Sequence, residues 1–389
     1  MNNKKLHTYP IIGVFMIFLL TVLVISLGTK PQEYNKNEEK ALAQKPNIYE
    51  STSFTEYTKA WDAFVSDQFP ARNQIISAKH EAESSEQDTI IDDVYVLSTD
   101  YLFTYTWPTK NADVQHLVEA ISSKRTSSGL PFTYIVVPQK NLILAEQEES
   151  IDITIDEDNT KRLVTALDYY QIPKINCCDY LRNFPLEERA DFFYKTDFHW
   201  NEYGAYIAAD YIAQNLAATH TIKKTSIPKD TDFIWSDLTG LAYLGDLQKR
   251  FTDEVTVEEY IPFYVAVDGE NFKYYTELKG EEVPRNTIVA TGLHDNPLDY
   301  NKLSTYNLGY LRVENPNAAE DKHVLFLKDS YECCLTDYFS EMFTEINIVD
   351  PRSSCPSFDE IVKERDIDTV LLLYHNSNVS KDLIKYLMQ

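Results

Sequence analysis

Short apolar runs alternate with helical stretches toward both ends of this 389-residue chain, and that alternation limits its fold more than any other feature. Near the carboxyl end come "HVLFL", the helical "ECCLTDYFSEMF", then "EINIV", "SFDEIVKERD", "DTVLLLY" and "SKDLIKYLM". Earlier, "NADVQHLVEAISSKRTSSG" reads as a helix with Asn111 as N-cap and Gly129 as its stop signal. It leads into the strand "FTYIVV", the helix "DNTKRLVTALDYY" and the strand "KINCCDY". Buried strands separated by helices of this length predict βαβ units, hence an α/β domain with a parallel sheet covered by helices on both faces. The region of about 221–322 is richer in strand-like runs and reads as an insertion or a mixed subdomain. Ahead of the alternation, Ser53 is an N-cap candidate for a helix with Phe54, Tyr57, Trp61, Phe64 and Val65 at helical spacing, interrupted at Pro70. Two short strand-like runs follow, "DDVYVL" and "YLFTYT".

Residues 11–27, "IIGVFMIFLLTVLVISL", span roughly 26 Å as a helix, close to the thickness of a hydrocarbon core. Lys4 and Lys5 precede them, so the amino end should stay in the cytoplasm and the remainder should be exported. A cleaved signal peptide is the alternative, but the nearest small-x-small site, Ala41-Leu42-Ala43, lies far beyond the apolar stretch. The expected organisation is a cytoplasmic tip and transmembrane signal anchor over 1–28, a linker over 29–50, and an extracytoplasmic domain over 51–389. A formal charge of −25 argues against nucleic acid as a partner, since phosphate binding needs a basic face. The five cysteines form two adjacent pairs, Cys177-Cys178 and Cys333-Cys334, plus Cys355; a cross-link between the pairs is open, and one thiol is left over. With no C-x-x-C, P-loop, G-x-G-x-x-G or H-E-x-x-H, no metal and no cofactor is expected.

In an open parallel sheet, ligands gather at the carboxyl ends of the strands. "HVLFLKDSYECC" puts Ser330 where a buried strand ends and a helix begins, a place where a serine is exposed beside free backbone N–H groups. A plain helix cap is the competing reading of Ser330 or Asp329. A serine nucleophile needs a base, and the base needs a partner that holds its tautomer. "FFYKTDFHWNEYGAY" offers Asp197 and His199 two residues apart, on one side of an extended segment, ahead of a helix capped by Asn201. A structural Asp–His pair is the alternative. His294 and His375 are the substitutes for His199. Cys333 or Cys334 would make a thiol enzyme, although adjacent cysteines in an exported helix suit core packing better.

These residues resemble the DHHW family of bacterial extracytoplasmic proteins, relatives of the alginate O-acetylation proteins of the SGNH hydrolase-like group. The resemblance rests on "DQFPARNQ", "YKTDFHWNEYGAY", "LFLKDSY" and "NIVDPR" with "DIDTVLLLYHNS". It implies an SGNH-like domain with permuted motif order, in which Asp197 and His199 precede Ser330. It further implies serine-dependent O-acetyl transfer or O-acetyl ester hydrolysis on a cell-envelope or exported polysaccharide. Ser330 would carry the acyl group, His199 would act as general base then acid, and Asp197 would orient it. A transferase would draw acetyl from a membrane-bound acyltransferase partner. Tyr331, Arg72 and Trp200 are candidate substrate contacts, each with a structural alternative in packing or an ion pair. Two departures stand out. Phe198 replaces a histidine, and Lys328 stands two residues before the serine where the usual hydrolase block has glycine. Lys328 puts the oxyanion site's shape in doubt, although the amides after Ser330 could still serve it. The alternative of another class is a non-catalytic, membrane-anchored scaffold or glycan-binding protein that keeps an inactive fold.

Overall fold

The computed structural model describes residues 30–32, 34, 35, 40–47, 54–69, 89–91, 93–97, 100–148, 150–238, 240–250, 257–288, 297–303, 305 and 307–389. The chain divides into two compact units, one of Met1–Glu86 with Lys249–Asp253, the other of Gln87–Gln248 with Glu254–Gln389. The apolar segment 11–27, Arg72, His294 and Ser53 lie outside the described residues. Among the described residues no helix is long and apolar enough to cross a membrane. In the first unit the expected helix runs over Phe54–Asp67, and its Asp67 carboxylate accepts the Ala43 N–H at 2.9 Å.

The second unit is built on a seven-stranded sheet. Its strands are β1 (Phe132–Val137), β2 (Lys174–Asn176), β3 (Lys273–Tyr275), β4 (Tyr310–Glu314), β5 (Glu320–Lys328), β6 (Phe343–Val349) and β7 (Thr369–His375). They lie in the order β3-β4-β6-β5-β7-β1-β2. The β6-β5-β7-β1-β2 stretch is parallel throughout, and β4 and β3 close one edge antiparallel. The helices packed on it include α1 (Asn111–Ser128), α2 (Thr154–Tyr169), α3 (Glu202–Ala218), α4 (Thr336–Met342), α5 (Phe358–Arg365) and α6 (Lys381–Leu387).

Because side chains alternate along a strand, each apolar run feeds two cores. Ile135, Val137, Val324, Phe326, Ile346, Leu371 and Leu373 join Ala205, Ala208 and Ile212 of α3 and Phe339 and Met342 of α4. Phe132, Tyr134, Val136, Leu325, Leu327, Val370 and Leu372 join α1, α2, α5 and α6 through Leu117, Leu163, Phe358 and Leu383. Helices therefore cover both faces, as the alternation predicts.

Several local expectations shift. Helix α1 begins at Asn111 itself, with Lys110 extended in the cap position and no side-chain cap, while Gly129 ends it at φ +69°. "KINCCDY" is a strand for three residues only: the Asn176 side chain accepts the Cys178 N–H at 3.0 Å and starts a helix over Cys177–Arg182. The region 221–322 divides. The antiparallel pair Phe233–Asp237 and Pro262–Ala266 forms its own small sheet, whereas β3 and β4 complete the main one. All five cysteines are free thiols, so no bond joins the two pairs.

Asn201 is the expected cap of α3. It is fully buried, its Oδ1 accepts the Gly204 N–H at 3.0 Å, and its Nδ2 donates to the Asp191 carbonyl at 2.8 Å. Asn201→Ala should lower the unfolding free energy by about 1–2 kcal/mol in urea titration; an unchanged midpoint would show that this cap does not hold the helix start.

Candidate active site

Strand β5 ends at Lys328, and a short 3-10 turn over Ser330–Cys334 follows at the carboxyl edge of the sheet. Asp329 caps that turn. One of its carboxylate oxygens accepts the Tyr331 N–H at 3.1 Å, the other accepts the His375 N–H at 2.9 Å and Asn378 Nδ2 at 3.1 Å. The turn is thus fastened to the end of β7, and Ser330 is left half-buried at its first position. The amides expected to serve an oxyanion are committed elsewhere: Tyr331 N–H to Asp329 Oδ1, and Glu332 N–H to the Asp329 carbonyl at 3.3 Å. The Ser330 N–H has no hydrogen-bond partner among the described residues.

The loop ahead of α3 comes to the same place. It is closed by a bridge between Phe193 and Trp200, and it carries Asp197 and His199, both buried. His199 Nε2 lies 2.7 Å from Ser330 Oγ, and His199 Nδ1 lies 2.8 Å from Asp197 Oδ1. The structure therefore unites the three residues that sequence spacing singles out. Asp197 has no exposed surface and accepts four hydrogen bonds: the His199 N–H and Nδ1–H on Oδ1, Tyr243 OH at 3.1 Å and the Asp246 N–H at 2.9 Å on Oδ2. Burial opposes its charge, but attraction to His199 and these donors outweigh burial and hold its pKa well below the ordinary carboxylate range. The ligand atoms of Asp197, His199 and Asp246 lie within 4.8 Å of one another, but both Asp197 oxygens already face N–H or O–H donors rather than a cation.

Aromatic rings enclose the imidazole. Tyr300 stacks on it at 3.8 Å with planes 4° apart, Phe198 lies 3.9 Å away, and Tyr331 5.0 Å. Tyr300 also donates to the Ser330 carbonyl at 2.8 Å, so one side chain locates both the base and the serine turn. Trp200 Nε1 donates to the Tyr331 carbonyl at 2.9 Å, while Tyr331 OH donates to the Phe198 carbonyl at 2.8 Å. These reciprocal bonds tie the two loops together. Trp200 and Tyr331 are 0% and 1% exposed, so neither presents a face to a sugar; their place is in the packing between the loops. Arg72, the third expected contact, lies outside the described residues.

Lys328 turns its buried ammonium to Asn307 Oδ1 at 2.5 Å and Cys333 Sγ at 3.1 Å. Cys333 and Cys334 are buried, and burial raises the pKa of both thiols, which removes them as nucleophiles. His375 anchors Asp329 through its backbone, and its ring lies 5.7 Å from that of Tyr331. Burial lowers its pKa, and His199 and Arg352 add to the effect against the pull of Asp329. Sequence reasoning missed Tyr243, Asp246 and Tyr300, which sit in irregular stretches with no spacing that marks them.

The sheet and these loops define a serine–histidine–aspartate constellation on an SGNH hydrolase-like α/β fold. Residues 102–271 match the family described as the SGNH hydrolase-like domain of the acetyltransferase AlgX, a stretch that includes Asp197 and His199 and stops short of Ser330. Among solved structures, Bacillus cereus PatB1 is similar with a TM-score of 0.65 and 21% identity, over 77% of this chain and 100% of that one. PatB1 with a sulfonyl adduct gives the same TM-score and identity, over 77% and 99%. A DHHW family protein from Eubacterium siraeum DSM 15702 gives 0.60 at 15% identity, over 78% and 97%. No curated protein matches the chain in sequence. The sequence resemblance to the DHHW and alginate O-acetylation group is thereby borne out, and the shared fold extends well beyond the stretch matched in sequence.

A carboxylate whose pKa is depressed by folding stabilises the protein above the unfolded value of about 3.9, and that contribution is lost as pH falls through the folded value. Asp197→Asn should therefore be about 3 kcal/mol less stable than the natural protein near pH 6, with the gap narrowing below about pH 3. Urea unfolding at both pH values checks this, and a gap that stays constant would locate the loss in shape rather than charge.

Proposed function

We propose that this chain transfers O-acetyl groups to, or removes them from, an exported or cell-envelope polysaccharide through an acyl-enzyme on Ser330. The observation that carries the reading is the continuous chain Ser330 Oγ, His199 Nε2, His199 Nδ1, Asp197 Oδ1, with contacts of 2.7 and 2.8 Å. An ionised Asp197 accepts from Nδ1 and so keeps the proton there, leaving Nε2 to accept from the serine hydroxyl. Oγ attacks the acetyl carbonyl carbon as His199 takes its proton. The imidazolium that forms is flanked by the Asp197 charge and by the Tyr300 face. The developing oxyanion meets the Ser330 N–H, which has no other partner among the described residues. His199 then returns the proton to the departing oxygen as its bond to the acetyl carbon breaks. A sugar hydroxyl or water, deprotonated by His199, resolves the acyl-enzyme in the second half.

The apolar segment 11–27 supports a membrane-anchored chain with its bulk outside the cytoplasm, and in that setting a membrane-bound acyltransferase would supply acetyl for transfer. PatB1, the similar structure seen with a sulfonyl adduct, suggests a sulfonyl reagent as a second probe of Ser330.

The full-length chain in detergent should cleave a chromogenic acetyl ester, and Ser330→Ala and His199→Ala should each lower turnover by about 1,000-fold or more. An arylsulfonyl fluoride should add one sulfonyl group to the natural chain, on the Ser330 peptide, and none to Ser330→Ala. Ester cleavage that survives both substitutions would reject the acyl-enzyme, and an inert natural chain that takes up no sulfonyl group would favour the scaffold reading.

A further inference from the structure

Residues 194–197 lead directly into the acid–base pair yet belong to no strand ladder, so their peptide groups must find partners elsewhere. Two buried side chains of opposite charge supply most of them. Lys140 stands just past the carboxyl end of β1, in the short helix Lys140–Leu144, and is 1% exposed. Its ammonium donates to the carbonyls of Tyr194 at 3.1 Å, Lys195 at 3.0 Å and Asp197 at 2.5 Å. An ammonium has only three N–H donors, so its whole capacity goes to this segment. Glu259, 2% exposed, accepts the N–H groups of Lys195 and Thr196, each at 2.7 Å, and the Thr196 hydroxyl at 2.5 Å.

The pattern has a particular sense. The Tyr194 carbonyl and the Lys195 amide are two ends of one peptide group, and the Lys195 carbonyl and Thr196 amide are two ends of the next. Both groups lie with oxygen toward Lys140 and N–H toward Glu259, so the ion pair is joined through two peptide dipoles polarised in the same direction. Removing either charge leaves the other buried without its match. The rings of Phe103 and Tyr101 lie 5.4 and 5.9 Å from Nζ. Gly245 permits the close approach on another side of the segment, since a Cβ there would stand 2.3 Å from the Thr196 carbonyl.

We propose that Lys140 is a positioning residue for the Asp197–His199 pair: bridged to Glu259 through two peptide groups, it fixes the backbone from which both side chains project and so sets the reach of His199 Nε2 to Ser330 Oγ. Burial lowers the Lys140 pKa to about 7, and the charges of Glu259 and Asp197 offset that only in part; the three carbonyls that accept from Nζ favour its ammonium form. The consequence for turnover rests on the acyl-transfer reading; the consequence for the Asp197–His199 bond does not.

The test compares the full-length chain with Lys140→Met, Lys140→Arg, Glu259→Gln and the Met/Gln double variant, each checked for folding by circular dichroism and thermal melting. The first readout is the low-field proton resonance of His199 Nδ1–H against Asp197, which needs no turnover. It should be displaced or lost in folded Lys140→Met and Glu259→Gln, and partly restored in Lys140→Arg. The second is cleavage of the chromogenic acetyl ester: kcat should fall about tenfold or more with KM changed less than about twofold, and the double variant should lose little beyond the single ones. A resonance and a kcat both at their natural values in folded Lys140→Met would overturn the proposal. If that variant does not fold, the same result in Glu259→Gln overturns it. Should the natural chain cleave no ester, the acyl-transfer reading falls, while the resonance still decides the role of Lys140.

Discussion

The buried carboxylate of Asp197 is the fixed point of this structure. A charge with no exposed surface persists only where donors replace the water it has lost, and the donors here come from distant parts of the chain. His199 supplies two from its own loop, while Tyr243 and Asp246 supply the others from a stretch more than forty residues on. That requirement pulls the connection after α3 back over the loop before it, and it sets the direction in which the imidazole points. Once Nδ1 faces Asp197, Nε2 faces the end of β5, and Ser330 is the residue found there.

Most of the frame is legible in sequence because strands and α-helices carry periodicities that burial enforces. Runs such as "FTYIVV" and "DTVLLLY", rich in β-branched and aromatic residues and set between helical stretches, read as strands covered on both sides, and their residues do divide between two cores. Asn201 and Gly129 are read correctly as a cap and a stop because those residue types have local chemical reasons for their positions. "KINCCDY" is misread because an apolar run of that length suits a strand or a short helix equally, and a single side-chain bond from Asn176 decides between them. β3 and β4 are missed as parts of the main sheet because antiparallel edge strands leave no βαβ signature.

The site was legible to a similar depth. Asp197, His199 and Ser330 announce themselves through spacing and through position at an element's end. Tyr300 does not: nothing local in "PLDYNKL" indicates a ring lying flat on an imidazole that is a hundred residues distant in sequence. Trp200 and Tyr331 stand beside the triad in sequence, which left packing and contact with a ligand both open. Their polar atoms close the seam between the two loops. Lys140 left one usable sign, its place just beyond the carboxyl end of a buried strand, where open α/β sheets gather their functional groups.

The lysine at 328 belongs to the same logic. A glycine near a nucleophile gives a backbone amide room to reach an oxyanion, and a bulky cation in its place would be expected to crowd the site. Here the side chain turns to Asn307 and Cys333, and the turn keeps the Ser330 amide available. The chain as a whole carries −25, yet ammonium groups are buried under both loops of the site, Lys140 beneath one and Lys328 beside the other. Surface carboxylates beyond about 10 Å are screened by salt, whereas charges held away from water are screened far less. Under the proposed acyl transfer, charges held away from water beside these loops would therefore weigh more on an oxyanion than the screened acidic envelope does.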